Sequence, residues 1–291
     1  MPYSRGVTPS ELAPSSREVD ITSTTRLIRD HPLSAYVVLA YVVSISLTLL
    51  LNVSLVFGLI ALFGPATAAF IVARIWRGKE GVAELRAVAT KWRVHPAWYA
   101  AALGLPVAAA ALGHVLYVLA GGAPLAIPGN VQPILLLLFV LVIGEEIGWR
   151  GFLLRGLLRN RSPLVATAVV AVVWSMWHTP LYFIPGMPSY GNSFAAFVVW
   201  VIPFSFLLTW LWLGTSSAWL ATLMHGSGNL AASIVFPVAD PGTLFTFYGI
   251  AMAIIAVLLV APAWSAWTIV RPPETSPPAV AVGVPTSADP Y

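Results

Sequence analysis

The sequence has no cysteine and few charged residues, and both features limit the class of protein to which it can belong. Cysteine is absent from the 291 residues, and charged residues make up only 9% of them. Without cysteine there is no disulfide framework, no thiolate metal site and no thiol nucleophile. A soluble domain carries about a quarter charged residues, so this composition, with 58% hydrophobic residues, excludes a soluble globular protein.

The hydrophobic residues are grouped into long segments. About 20 apolar residues are needed to cross the hydrocarbon core of a bilayer, and we therefore predict an all-α, polytopic membrane bundle of about eight transmembrane helices. The boundary between the first two helices, near Asn52, is the weakest, because one long helix there would give seven. The eight segments are 33–52, 55–73, 97–120, 132–154, 163–184, 194–213, 217–236 and 244–269.

The basic residues predict the orientation of the bundle. With eight spans, all 15 Lys and Arg residues fall on one side, which the positive-inside rule assigns to the cytosol. The sequence thus predicts a multi-pass protein of the cell membrane, in contact with lipid, with both termini cytosolic. The net charge of +4 gives no reason to expect a nucleic-acid partner, because the basic residues follow membrane topology rather than form a soluble basic patch. The basic groups lie in 5–29, 74–93, 150–161 and at Arg271.

Three parts of the chain have different compositions. Residues 1–30 are polar and are predicted to form a flexible cytosolic arm, and residues 31–271 form the bundle. Residues 272–291 are rich in Pro, Ala, Val, Ser and Thr and are predicted to be a disordered tail. Within the bundle, residues 79–92 mix charged and apolar side chains at helical spacing, which is typical of a helix lying on the membrane interface.

Polar clusters occur in three of the predicted spans, although a charge at the bilayer centre costs roughly 2.5 to 3.5 kcal/mol. At 1.5 Å per residue, the three clusters lie roughly 12 to 22 Å from the cytosolic ends of their spans. They can therefore meet inside the membrane. The clusters are Glu145, Glu146 and Arg150 in the fourth span, Trp174 and His178 in the fifth, and His225 and Asn229 in the seventh.

The two glutamates are predicted to have different roles. Glu146 and Arg150 are four residues apart with the acid first, the favourable order for an ion pair on a helix. Glu145 points in another direction and is left without a dedicated cation, so it is the candidate general base. The alternative without a catalytic role is that both acids are paired structural charges near the cytosolic interface.

The histidines and Asn229 extend the candidate site. His225 and Asn229 share a helix face, and an asparagine amide is suited to donate to a developing oxyanion. His178 precedes Thr179 and Pro180, which predicts that the span kinks or opens just past it. Either histidine alone is more often a hydrogen-bonded core residue, and Asn229 alone could simply join helices.

Together the three clusters resemble the CAAX-protease and bacteriocin-processing family of intramembrane endopeptidases, also called the ABI family. Its pattern is Glu-Glu-x-x-x-Arg, then Phe-x-x-x-His, then His-x-x-x-Asn. Here the motifs are Glu145-Glu146-x-x-x-Arg150, Trp174-x-x-x-His178 and His225-x-x-x-Asn229, with Trp174 where the family usually has Phe. The resemblance covers residues 132–236, the expected catalytic core.

The resemblance implies an endopeptidase that acts on membrane-associated peptides or proteins. Glu145, helped by His178, would activate water, His225 and Asn229 would stabilise the oxyanion, and Glu146, Arg150 and Trp174 would support the site. Glu145, His178 and His225 also match the ligand types of a catalytic zinc ion, so a divalent metal is one possibility. Metal-free activation of water is chemically sufficient, and we favour a metal-free or loosely bound metal site.

Two other functions are compatible with the motifs. One is a catalytically idle immunity or scaffold protein, which would tolerate the loss of Glu145. The other is a transporter that uses the acids and histidines as a proton or metal relay. The lack of acids in the other spans argues against a continuous relay. The sequence indicates neither the physiological substrate nor the oligomeric state.

Overall fold

The structure, a computed structural model, describes residues 16–51, 53–124, 133–187, 189–235 and 241–270. The predicted tail, 272–291, and residues 1–15 of the predicted arm lie outside these ranges. Every regular element within them is helical, which confirms the all-α prediction. The helices are α1 (Ser16–Asp30), α2 (Pro32–Thr48), α3 (Leu55–Ala61), α4 (Gly64–Ala89), α5 (Pro96–Leu119), α6 (Pro133–Leu141), α7 (Ile143–Glu146), a π-helix (Ile147–Leu154), α8 (Arg155–Leu157), α9 (Pro163–Trp177), α10 (Thr179–Phe183), α11 (Phe194–Thr215), α12 (Ala218–Val235), α13 (Pro241–Val260), a 3₁₀ turn (Ala261–Ala263) and α14 (Trp264–Thr268).

The structure contains fewer candidate spans than the sequence predicted. Among the described residues, 4 helices are long and apolar enough to cross a membrane, or up to 6 if two bent helix pairs each form one span. The count of eight is therefore not confirmed. Two predicted spans, 132–154 and 217–236, do not qualify because α6 to α8 are interrupted and α12 is enriched in polar residues. These two segments carry most of the predicted site.

Both of these segments pack inside the bundle. Helix α12 lies against α5 and α6, while the π-helix lies against α4 and α9. The Ser227 hydroxyl donates to the Leu103 carbonyl at 2.7 Å and joins α12 to α5. On the far side, α13 packs on α5 and α11. A Cβ atom on Gly113 would lie 2.7 Å from the Cα of Tyr248, so the α5 and α13 backbones cross too closely for a larger residue.

One end of the bundle is held by ion pairs between distant parts of the chain. Helix α4 is kinked at Gly78, whose φ of 65° favours glycine, and its second half bears Glu84. The Glu84 carboxylate pairs with Arg155 at 3.0 Å and also with Arg77. Two of the basic groups that were predicted to share one side of the membrane therefore do lie together. Residues 16–30 of the predicted flexible arm form helix α1.

Candidate active site

The two adjacent acids, Glu145 and Glu146, lie at the end of α7, and both are buried, with 2% and 0% of their surface exposed. The π-helix begins at the next residue, Ile147. The Arg150 Nη1 atom lies 2.9 Å from Glu146 Oε1, and both side chains are fully buried. This contact is the predicted Glu146–Arg150 pair.

The same carboxylate oxygen of Glu146 also binds His225. The His225 Nδ1 atom lies 2.8 Å from Glu146 Oε1, so Glu146 joins α7 to α12. Because a carboxylate oxygen accepts, Nδ1 of His225 carries the hydrogen of this bond. The sequence predicted Arg150 as a partner of Glu146 but did not predict this histidine.

Glu145 has a different partner, Trp174 of α9. The indole Nε1–H donates to Glu145 Oε2 at 2.9 Å. The Trp174 side chain was predicted to support the site as an aromatic residue, and its hydrogen bond is a feature that the sequence did not reveal. Glu145 thus makes no ion pair with Arg150, as predicted, but one of its two oxygens is held by a neutral donor.

Trp174 stands between the other site residues. The Arg150 guanidinium carbon lies 4.5 Å from the centre of its indole, a cation–π contact. Its ring centroid is 5.1 Å from that of His225 and 5.8 Å from that of His178, both edge-on. The three predicted clusters, from three different parts of the chain, therefore meet around one tryptophan.

His178 lies at the junction of α9 and α10, where the sequence predicted a break. Helix α9 ends at Trp177, and His178 caps it before α10 begins at Thr179. The His178 Nδ1 atom lies 2.9 Å from the Trp174 carbonyl oxygen. Because a carbonyl can only accept, Nδ1 carries hydrogen, and in the neutral ring the lone pair is on Nε2.

The remaining polar atoms of the site are of two kinds. Among the described residues, Glu146 Oε2 and Arg150 Nε are buried without a hydrogen-bond partner, whereas other atoms are unpaired but reach solvent. Within the described ranges, Glu145 Oε1 and the Nε2 atoms of His178 and His225 have no hydrogen-bond partner, yet none is sealed from solvent. Asn229, one turn beyond His225 on α12, is partly buried, and its backbone carbonyl accepts from Ser233 at 2.8 Å. Its side-chain amide has no partner in the same part of the chain, so it too is available to a ligand.

The predicted metal ligands do not fit a metal site. Among the described residues, no group of three or more His, Asp or Glu side chains is arranged to hold a metal ion. Glu145, His178 and His225 therefore share an environment without forming a coordination sphere, and the zinc prediction is not supported.

The glycines of α12 serve close helix packing. A Cβ atom on Gly226 would lie 2.5 Å from the Phe139 carbonyl oxygen of α6, and one on Gly228 would lie 2.7 Å from the Phe204 ring of α11. These approaches press α12 against both neighbours. They hold His225 at the fixed distance from Glu146 that the hydrogen bond requires.

Two further residues, Ser205 and Tyr36, lie beside the site without belonging to any motif. The Arg150 Nη2 atom lies 3.5 Å from the Ser205 hydroxyl of α11, a weak contact. Tyr36 of α2 is fully buried, and its ring meets Trp149 edge-on at 5.7 Å. A serine and a tyrosine inside apolar helices are too common to single out from one sequence, so no signal could have found them.

Comparisons with known proteins agree with the motifs. The profile of the "Type II CAAX prenyl endopeptidase Rce1-like" family matches residues 127–231, which include every predicted site residue. The chain is also 27% identical over 137 residues to CAAX prenyl protease 2 of Methanococcus maripaludis. That alignment covers 44% of this chain and 49% of the relative, so the chain spans about half the length of the curated relative it matches. The resemblance predicted from the three motifs is thereby confirmed.

Proposed function

We propose that this chain, a member of the Rce1-like family of CAAX proteases, is a membrane endopeptidase that hydrolyses peptide bonds of membrane-associated proteins. One observation supports the proposal above the others. Two buried acids and two histidines meet around Trp174, with one glutamate oxygen and two imidazole nitrogens left free for water and substrate. The proposed catalytic core is the segment 132–236.

The proposed mechanism requires one histidine to carry a second proton. In the proposed reactive state Glu145, the base, and Glu146 are both ionised and Arg150 carries one positive charge. A proton on Nε2 of His225 balances the remaining charge in a site where an unbalanced one is costly. In this state His225 is an imidazolium, held by Glu146, that can donate from Nε2.

In the proposed reaction Glu145 and His178 act on the attacking water, and His225 and Asn229 act on the oxyanion. Glu145 Oε1 takes a proton from a water molecule that His178 Nε2 orients, and the water oxygen attacks the peptide carbonyl carbon. The oxyanion that forms accepts hydrogen bonds from Nε2 of His225 and from the Asn229 amide. The carbon–nitrogen bond then breaks, and the amine leaves with the proton that Glu145 had taken.

The site residues act without a metal ion in this proposal. Since the donor atoms of Glu145, His178 and His225 do not form a coordination sphere, no step is assigned to a metal. The nucleophile is a water molecule that Glu145 deprotonates and His178 orients. Glu146, Arg150 and Trp174 hold these two groups in place and do not take part in bond making.

The substrate is proposed to reach the site from the membrane. The relative from M. maripaludis is a CAAX prenyl protease by name, and we propose membrane-associated peptides or proteins as substrates of this chain as well. Entry from the cytosolic side follows from the predicted orientation, in which Arg77, Arg155 and Arg159 around Glu84 lie at the cytosolic surface.

The proposal is tested by reconstitution of the purified protein in liposomes with a panel of hydrophobic and lipidated peptides. Cleavage is measured by mass spectrometry for the wild type, Glu145→Ala and His225→Ala. Both variants are expected to lose at least about a thousandfold in kcat/KM, since each removes a group used in the transition state.

Matched controls come from residues of the same types outside the site. Glu80→Gln and His31→Gln change exposed side chains and are expected to cleave like the wild type. Cleavage that persists in both Glu145→Ala and His225→Ala rejects the mechanism. Uptake of peptide or ions without any cleavage favours the transporter, and a stable protein with neither activity favours the idle immunity or scaffold function.

A further inference from the structure

Trp174 occupies a position where the family usually has phenylalanine, and the two side chains differ in one chemical respect. An indole can donate a hydrogen bond and a phenyl ring cannot. In this protein that donor lies 2.9 Å from Glu145 Oε2. The presence of Trp174 instead of phenylalanine therefore adds a hydrogen bond to Glu145, the proposed general base.

We infer that Trp174 is a positioning residue whose indole N–H fixes the rotation of the Glu145 carboxylate and leaves Oε1 as the oxygen that receives the proton from water. The inference rests on the proposed function for the role of Glu145. It adds a role for one particular side chain, since neither the motif pattern nor the phenylalanine that the family usually has at this position supplies the indole N–H donor.

The geometry supports a dedicated role for this hydrogen bond. Trp174 is 1% exposed and Glu145 is 2% exposed, so bulk water has little access to the contact between the indole N–H and Glu145 Oε2. A hydrogen bond to a charged group in such surroundings is stronger than one between neutral groups. The indole is itself fixed by the Arg150 guanidinium against its face, 4.5 Å from the ring centre.

The same residue also holds the second proposed water-binding group. The backbone carbonyl of Trp174 accepts from Nδ1 of His178 at 2.9 Å. Side chain and backbone of one residue thus orient Glu145 and His178, respectively. Because both contacts come from the last turn of α9, the two groups that hold the water are fixed relative to each other by a single helix end.

Other tryptophans provide a comparison inside the same molecule. The indole nitrogens of Trp149, Trp177 and Trp210 are buried without a hydrogen-bond partner among the described residues. Trp210 packs on Trp98, with ring centroids 4.9 Å apart, and makes no contact with the four catalytic candidates in the same set of residues. It is therefore the matched control for a substitution that removes only the N–H group.

The decisive variant is Trp174→3-benzothienylalanine, in which sulfur replaces the N–H group at nearly constant shape. Its kcat is expected to fall about tenfold, because a hydrogen bond to a charged group contributes on that order. KM is expected to stay within about twofold, since Trp174 positions the base and does not bind substrate. Trp210→3-benzothienylalanine is expected to retain the kcat and KM of the wild type.

A spectroscopic readout tests the contact without any activity. The protein has 12 tryptophans, and ¹⁵N-tryptophan labelling gives one indole N–H signal for each. The Trp174 signal, assigned by its loss in Trp174→Phe, is expected to move upfield in Glu145→Ala, while the Trp210 signal stays in place. A Trp174 signal that does not respond to Glu145→Ala overturns the inference.

The activity measurements separate the inference from the function on which it rests. If Glu145→Gln is inactive while the benzothienyl variant at 174 has wild-type kcat, Glu145 is catalytic and the positioning role of Trp174 is wrong. If Glu145→Gln is as active as the wild type, the proposed function itself fails. A tenfold loss in the benzothienyl variant at 174 with an inactive Glu145→Gln supports both.

Discussion

Removal of either partner from the buried pair of Glu146 and Arg150 should destabilise the protein strongly, whereas removal of both should cost much less. Both side chains are fully buried and 2.9 Å apart, and Glu146 also accepts from His225. Removal of one partner leaves an uncompensated buried charge, which costs about 3 to 5 kcal/mol. We therefore expect Arg150→Met and Glu146→Gln each to lower the free energy of unfolding by about that amount.

The double variant Glu146→Gln/Arg150→Met should be more stable than either single variant. It removes both charges, while the glutamine oxygen can still accept from Nδ1 of His225. The coupling energy in the double-mutant cycle is expected to exceed about 2 kcal/mol. The assay is unfolding by sodium dodecyl sulfate in mixed micelles, followed by tryptophan fluorescence.

A surface pair shows what the same measurement gives without burial. Arg26 and Asp30 lie 3.8 Å apart, with side chains 84% and 60% exposed. Arg26→Gln is therefore expected to leave the unfolding midpoint unchanged. Two results would refute the reasoning that burial couples Glu146 to Arg150. One is a double variant whose loss of unfolding free energy equals the sum of the losses in the two single variants. The other is a loss in the single variants no larger than that in Arg26→Gln.

Three further predictions concern packing, surface charge and metal. Gly148→Ala should lower the free energy of unfolding by about 1 to 3 kcal/mol, because the new Cβ would lie 2.5 Å from Pro65 Cβ. The control is Gly104→Ala, whose Cβ would have no neighbour within 4 Å and which should not destabilise the protein. Thermal unfolding compares the two variants. Glu84→Gln should cost less than about 1 kcal/mol and lose its effect at high salt, since its partners are partly exposed; an effect that is equal at low and high salt contradicts this. Peptide cleavage should continue after dialysis against a strong chelator, and a loss of cleavage that zinc restores would show that the metal-free mechanism is wrong.

The proximity of the polar residues was easier to predict from the sequence than the number of spans around them. Glu145, Glu146, His178 and His225 are costly inside apolar segments, so their presence there already indicated a function. The Glu146–Arg150 pair followed from helical spacing and is confirmed. The break after His178 followed from Pro180 and is also confirmed.

The number of spans was less predictable, and the reason lies in the site itself. A hydropathy pattern measures how apolar a segment is but does not show whether its helix is continuous. The segment containing Glu145 consists of α6, α7, a π-helix and α8, so its apolar residues do not lie on one continuous helix.

Two contacts of the site could not be derived from residue spacing. The pairing of His225 with Glu146 and of Trp174 with Glu145 joins residues 79 and 29 positions apart. Spacing rules relate residues only within one helix, whereas these contacts depend on how helices pack. The departure from phenylalanine at Trp174 was visible in the sequence, but its partner was not.

The most direct test of the account is the origin of the oxygen in the new carboxyl group during a single turnover. The wild-type protein, in excess over a peptide substrate, is placed in H₂¹⁸O, and product and protein are analysed by mass spectrometry. Direct attack by water activated by Glu145 predicts one ¹⁸O atom in each new carboxyl group and none in Glu145. A first-turnover product that contains only ¹⁶O, with ¹⁸O in the Glu145 side chain, would show a covalent intermediate on Glu145 and contradict the account.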